Sequence, residues 1–169
     1  NAIPREAYAV IGVDKGFKEE LAVMLNNYIA DVTGEYAVTE PSLKITIDSE
    51  STPSMVVEGD VTSRLLYSLY ACPNGIIRMS DDMPGLVETS TNLASVKMND
   101  GKNIEIVTSQ RSSVTSAKND IASMVESVFT LAGANVRHSD GYPGWKPNPH
   151  SELAQKLAAS YKKLFNKEA

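Results

Sequence analysis

The chain of 169 residues has a single cysteine, Cys72, so no disulfide can form within it. A reducing compartment, and hence a cytoplasmic location, fits that usage. Histidine is almost as scarce: His138 and His150 stand apart, and neither a CxxC nor an HExxH spacing occurs. The chain's own residues therefore offer no metal-ligand motif. Basic charge is not in excess. The formal net charge is -5, and no Lys/Arg cluster precedes the final turns, which argues against nucleic acid as a partner. Long hydrophobic runs are missing too, so no segment reads as membrane-spanning. There is no Ser-His-Asp set and no glycine-rich phosphate loop.

What is present is ordinary for a globular protein: 42% hydrophobic and 22% charged residues, in a length sufficient for one domain with a core. The chain opens NAIPRE, without Met, and is β-leaning by residue 7. This reads as a piece of a longer protein.

Residues 7–14, AYAVIGVD, are expected as a strand. Phe17, Leu21, Met24, Leu25, Tyr28, Ile29 and Val32 then recur at helical spacing, with Gly34 as the stop. Residues 43–48, LKITID, alternate as a half-buried strand would. Asp60 is the expected N-cap of a second helix, which Pro73-Asn74-Gly75 ends. A short extended piece covers residues 76–79. Asp81 and Asp82, adjacent in a loop before a proline, read as solvated carboxylates. A third helix carries Ile121, Met124, Val125, Val128 and Phe129 and closes at Gly133. Residues 134–139 are expected as a closing strand. In SDGYPGWKPNP, residues 139–149, the prolines and glycines exclude regular structure, and Tyr142 and Trp145 are expected to dock it on a neighbouring surface. Ser151 caps a last helix with Leu153, Leu157, Ala158, Tyr161, Leu164 and Phe165 on one face. These elements predict an α+β fold: an antiparallel-rich sheet with helices packed on one face, of ferredoxin-like plan.

Between residues 87 and 111 the sequence reads as a hairpin turning at Asn99-Asp100-Gly101. With Asp100 and Gly101 as the loop, Val96 faces Glu105, Ala94 faces Val107, Asn92 faces Ser109 and Ser90 faces Arg111. The opposite face carries Leu93, Ile104 and Ile106 and is the one expected on the core. A three-residue loop would break this register. Pattern alone makes Arg111 a solvated arginine ringed by Ser90, Asn92 and Ser109.

Four runs carry a resemblance: NAIPRE, ACPNGIIRMS, MPGLVETSTNLASV and GYPGWKPNP, in this order. Together they resemble the zinc-dependent aminoacyl-histidine dipeptidases, and the resemblance covers essentially the whole chain. It implies a parent protein with two zinc ions in a catalytic domain and an inserted lid, hydrolysing Xaa-His dipeptides such as carnosine. Residues 1–139 would be the lid, lacking its upstream part, and 140–169 the segment returning to the catalytic domain. The family's metal ligands and catalytic Glu match no position here, so the chain alone is expected to be inactive and to bind zinc poorly. Two positions carry over as substrate contacts: Asn1, in the family's N-x-IP motif, and Arg111, whose planar fork suits a terminal carboxylate. Asn1 would also arise from a cloning remnant. The partners implied are a dipeptide, the catalytic domain of the same chain, and a second copy paired through the lid's sheet edge. A stand-alone ferredoxin-like module that binds a small molecule or dimerises is the competing reading, because fold alone does not decide function.

Overall fold

The computed structural model describes residues 3–98, 101–145, 147–148 and 150–168. Contacts divide the chain into two compact units, one of Asn1–Arg5 with Val57–Ala169 and one of Glu6–Val56.

The larger unit is built on a three-stranded antiparallel sheet in the order β1 (Gly75–Met79), β2 (Val87–Lys97), β3 (Glu105–Ser112). Helices α2 (Gly59–Ala71), α3 (Thr115–Leu131) and α4 (Glu152–Phe165) belong to the same unit. Ile121, Val125 and Phe129 recur every fourth residue, which puts them on one stripe of α3, and all three are buried. Val125 and Phe129 form the core with Cys72, against which Leu93, Ile106 and Val136 pack. The expected core face of the hairpin therefore holds for Leu93 and Ile106. Arg64 of α2 ties down the end of α3, donating to the Ala132 carbonyl at 3.2 Å. Gly133 follows with φ of 80° and ends that helix, as its sequence position suggests.

The smaller unit holds one helix, α1 (Lys18–Glu35), entered through a 3-10 turn at Lys15–Phe17. Leu21, Leu25, Ile29 and Val32 along its stripe are half-buried, and none is fully buried.

Several local expectations are corrected. Residues 7–14, 43–48 and 134–139 form no strand. A strand needs a hydrogen-bonded neighbour, and among the described residues none pairs with these runs. The α+β class and the antiparallel sheet stand, built from β1 and the hairpin without those three runs. Helix α2 begins one residue before Asp60, with Glu58 at the cap and no side-chain cap bond. Asp60 sits instead in the first turn, where its carboxylate meets the positive helix end and pairs with Arg64 at 3.0 Å. Tyr142 and Trp145 do not dock their segment; Trp145 is 79% exposed. The segment is held by its backbone: Lys118 donates to the Tyr142 carbonyl at 2.7 Å. Gly144 lies so close to β3 that a Cβ there would be 2.6 Å from the Ser112 carbonyl oxygen. Ser151 does cap α4, accepting from the Ala154 amide. The apolar face of α4 is exposed at Leu153, Leu157, Leu164 and Phe165.

Candidate substrate-binding site

The β2–β3 ladder positions the candidate arginine. Ser90 pairs with Arg111 and Asn92 with Ser109, as the hairpin pattern requires. Near the turn the pairing differs: Ser95 faces Val107, Val96 faces Ile106 and Lys97 faces Glu105. The change occurs at an irregularity between Leu93 and Ser95, where one extra β2 residue is accommodated. Ala94–Val107 and Val96–Glu105 are therefore not partners. A bulge keeps two registers in one hairpin, which alternation alone does not reveal. Of the turn expected at Asn99-Asp100-Gly101, Asn99 and Asp100 lie outside the described residues, while Gly101 has φ of 66°.

Because Leu93 and Ile106 point to the core, alternation sends Ser90, Asn92, Ser109 and Arg111 to the opposite face of the sheet. Arg111 is exposed, while Ser90, Asn92 and Ser109 are half-buried. The Arg111 guanidinium makes no hydrogen bond or ion pair with a described residue. Its five donors are thus available to a planar anion. Asn1, the second candidate, lies outside the described residues.

The other polar groups are not drawn together. His138 is 3.1 Å from Glu126, and His150 is engaged through its backbone amide with Asn148. Among the described residues no group of three or more His, Cys, Asp or Glu could hold a metal ion. The donor set of the described residues does not fit a zinc centre. Asp81 and Asp82 are exposed and line a small cavity of about 150 Å³ with Ser80, Glu88, Ser113, Val114 and Pro147. The aspartates' loop is folded on itself by the Met83 amide, which donates to the Ser80 hydroxyl at 3.2 Å.

Pattern reading overlooked the polar side chains on the helix side of the same strands. Thr89 and Thr91 are 2% and 3% exposed. The Thr89 and Ser112 hydroxyls are hydrogen-bonded at 2.9 Å, and the Gln110 side-chain amide donates to the Thr91 hydroxyl at 3.2 Å. Glu88, whose side chain is 12% exposed, lies 3.8 Å from Arg78 and accepts from the Thr89 hydroxyl. The signal was available: in the register that pairs Ser90 with Arg111, Thr89 faces Ser112 and Thr91 faces Gln110.

No protein-family model matches the chain. It is 37% identical over 167 residues to the cytosol non-specific dipeptidase of Escherichia coli (strain K12), an alignment covering 99% of this chain and 34% of that protein. The crystal structure of aminoacylhistidine dipeptidase from Vibrio alginolyticus superposes with a TM-score of 0.81 at 29% identity, over 90% of this chain and 31% of that one. The chain thus spans about a third of the length of the relatives it matches. Across that third, the chain is a homologue of the dipeptidases.

Proposed function

We propose that this chain is the lid portion of a dizinc metallo-dipeptidase of cytoplasmic location, acting on Xaa-His dipeptides. Its role is to close over the active site and hold the substrate's C-terminal carboxylate. The observation that carries this reading is Arg111: an exposed guanidinium without a described partner, on the sheet face away from α3, in a chain homologous to dipeptidases.

The chemistry is one of binding and orientation. A guanidinium can meet both carboxylate oxygens through two parallel N–H···O bonds, which fixes the direction of the dipeptide as well as its affinity. The Ser90 hydroxyl, directly across the ladder, is suited to a further hydrogen bond on the same face. Closure over the substrate excludes water and orients the scissile bond. Zinc, when bound elsewhere in the full-length protein, supplies the activation of the attacking water. The metal ligands would then come from the catalytic domain, to which residues 140–169 would return. The exposed apolar face of α4 supports that arrangement, since such a face is ordinarily covered. Asn1 would be a second substrate contact. A homodimer through the open edge of β3 is compatible with the sheet order.

The test is Arg111→Ala in the full-length protein. kcat/KM for free dipeptides should fall roughly 10- to 100-fold, the range of a lost charge-assisted hydrogen bond. C-terminally amidated dipeptides should change by less than about threefold. An equal loss on both substrates would reject carboxylate recognition.

A further inference from the structure

Arg111 and Ser90 face one another only because the ladder is in one of the two registers that the hairpin contains. Between Ser95 and Lys97 the pairing follows the apolar end, with Val96 opposite Ile106. Carried on without the bulge, that register would put Thr91 opposite Arg111. Ser90 and Asn92 would turn toward α3, and Leu93 would leave the core, because a one-residue slip exchanges the faces of a strand. Leu93, packed on the core, opposes this at one end of that half of β2, but from Thr91 to Thr89 the helix side is not apolar. It carries Thr89, Thr91, Gln110 and Ser112.

We propose that the two cross-strand pairs, Thr89–Ser112 and Thr91–Gln110, are positioning residues that fix the register presenting Arg111 beside Ser90. They bracket the Ser90–Arg111 pair on both sides, one residue away along each strand. A slipped register would turn Thr89 and Thr91 out of their buried face and leave Ser112 and Gln110, on the helix side of β3, without their hydrogen-bond partners. No buried side-chain polar atom is unsatisfied among the described residues. The Ser112 hydroxyl also accepts from the Val114 amide at 3.0 Å, which ties the end of β3 to the start of α3. At the bulge itself, the Leu93 amide donates to the Asn74 side-chain oxygen at 2.8 Å. That bond satisfies an amide beyond the last β1–β2 pair, Gly75 with Thr91, and holds the irregularity in place.

The inference rests on the carboxylate reading of Arg111, and two measurements on the full-length protein separate their failures. The first is the ratio of kcat/KM for free against C-terminally amidated dipeptides. Thr91→Val removes the acceptor of Gln110 at nearly constant volume. It should lower the ratio roughly three- to tenfold, chiefly through KM, and Thr91→Ser should restore it to within about twofold. A merely structural role would lower both substrates together and leave the ratio unchanged. The second is hydrogen exchange of peptides spanning 105–112 in the Thr89→Val, Thr91→Val double variant. The backbone amides there should exchange roughly tenfold faster than in the unaltered protein. Unchanged exchange overturns the register role whatever Arg111→Ala shows. Faster exchange with an unchanged ratio in Arg111→Ala supports the register role and rejects the carboxylate reading.

Discussion

Helices α1 and α3 both carry apolar residues at helical spacing, more sharply segregated to one face on α3, and they end in different states. On α3, Ile121, Val125 and Phe129 are buried, and Val125 and Phe129 pack with Cys72, Leu93, Ile106 and Val136. On α1, no residue is fully buried, and Met24 and Tyr28 are largely exposed. An amphipathic pattern names the face a helix offers; whether that face is buried depends on the surface that meets it. For α3 that surface is the hairpin, an element close in sequence. Stability should therefore concentrate in the unit of Val57–Ala169 and be sparse in that of Glu6–Val56.

The largest test of this contrast is a pair of truncations. Phe129→Ala should cost about 3–5 kcal/mol in denaturant unfolding, because it opens a cavity at a site 6% exposed. Tyr28→Ala, at a site 60% exposed, should cost less than about 1 kcal/mol. Comparable losses would mean that α1 is as well packed as α3. A smaller effect is expected from two glycines. Gly133 has φ of 80°, and a Cβ there would lie 2.7 Å from the Arg64 Nη1 atom. Gly133→Ala should destabilise by about 1–2 kcal/mol. Gly34 lies inside α1 with open space around it, so Gly34→Ala should be neutral or stabilise by up to about 1 kcal/mol. Thermal unfolding of both variants would check the opposite signs.

The smallest effect concerns Cys72, the only cysteine, which sits in the core of the larger unit. Burial pushes its thiol above the ordinary thiol range. The neutral form is therefore favoured by folding, and the unfolded chain loses its proton first as pH rises. The thiol's contribution is complete below the ordinary thiol pKa of about 8.5 and is lost as pH climbs through the folded value. Stability should fall more steeply above that pH than in Cys72→Ala, measured as the difference between the two pH profiles. Matching slopes would show that the thiol does not titrate differently on folding.

The same contrast explains what could be read from the sequence. The α3 stripe, the Gly133 stop, the Ser151 cap and the Ser90–Arg111 pairing are all set by neighbours close along the chain, and all were legible. Residues 43–48 alternate as well as any strand here, but a strand is completed by a partner edge, which alternation does not supply. The bulge near Ala94 escaped for a related reason. The pairing expected from the turn holds only beyond the bulge, because the single added β2 residue shifts the count on the turn side of it. In residues 139–149 the aromatic Tyr142 and Trp145 are the conspicuous docking candidates, because large apolar side chains stand out in a sequence. The contact is made by a backbone carbonyl and by a residue with no side chain, which leave no hydrophobic signal. For the candidate site, Arg111 and its ring of small polar groups were visible from spacing. The substrate role proposed for Arg111 rests on the family resemblance, and the polar pairs proposed to position it needed the observed register.

Gly144 has a consequence for how freely this chain can vary. A side chain there would run into the Ser112 and Ser113 carbonyl oxygens at 2.6 and 2.7 Å, and carbonyls in a strand end cannot rotate aside as a flexible side chain can. Alanine, the smallest change available, would already push on the residue that follows Arg111 in the sequence. In a saturation library position 144 should accept glycine alone, and its rejected variants should lose function by displacing β3. Gly16 and Gly59, with nothing near them, should accept most of the alphabet. A tolerance map of this chain would thus mark a silent atom in a loop as strictly as any charged group in the site.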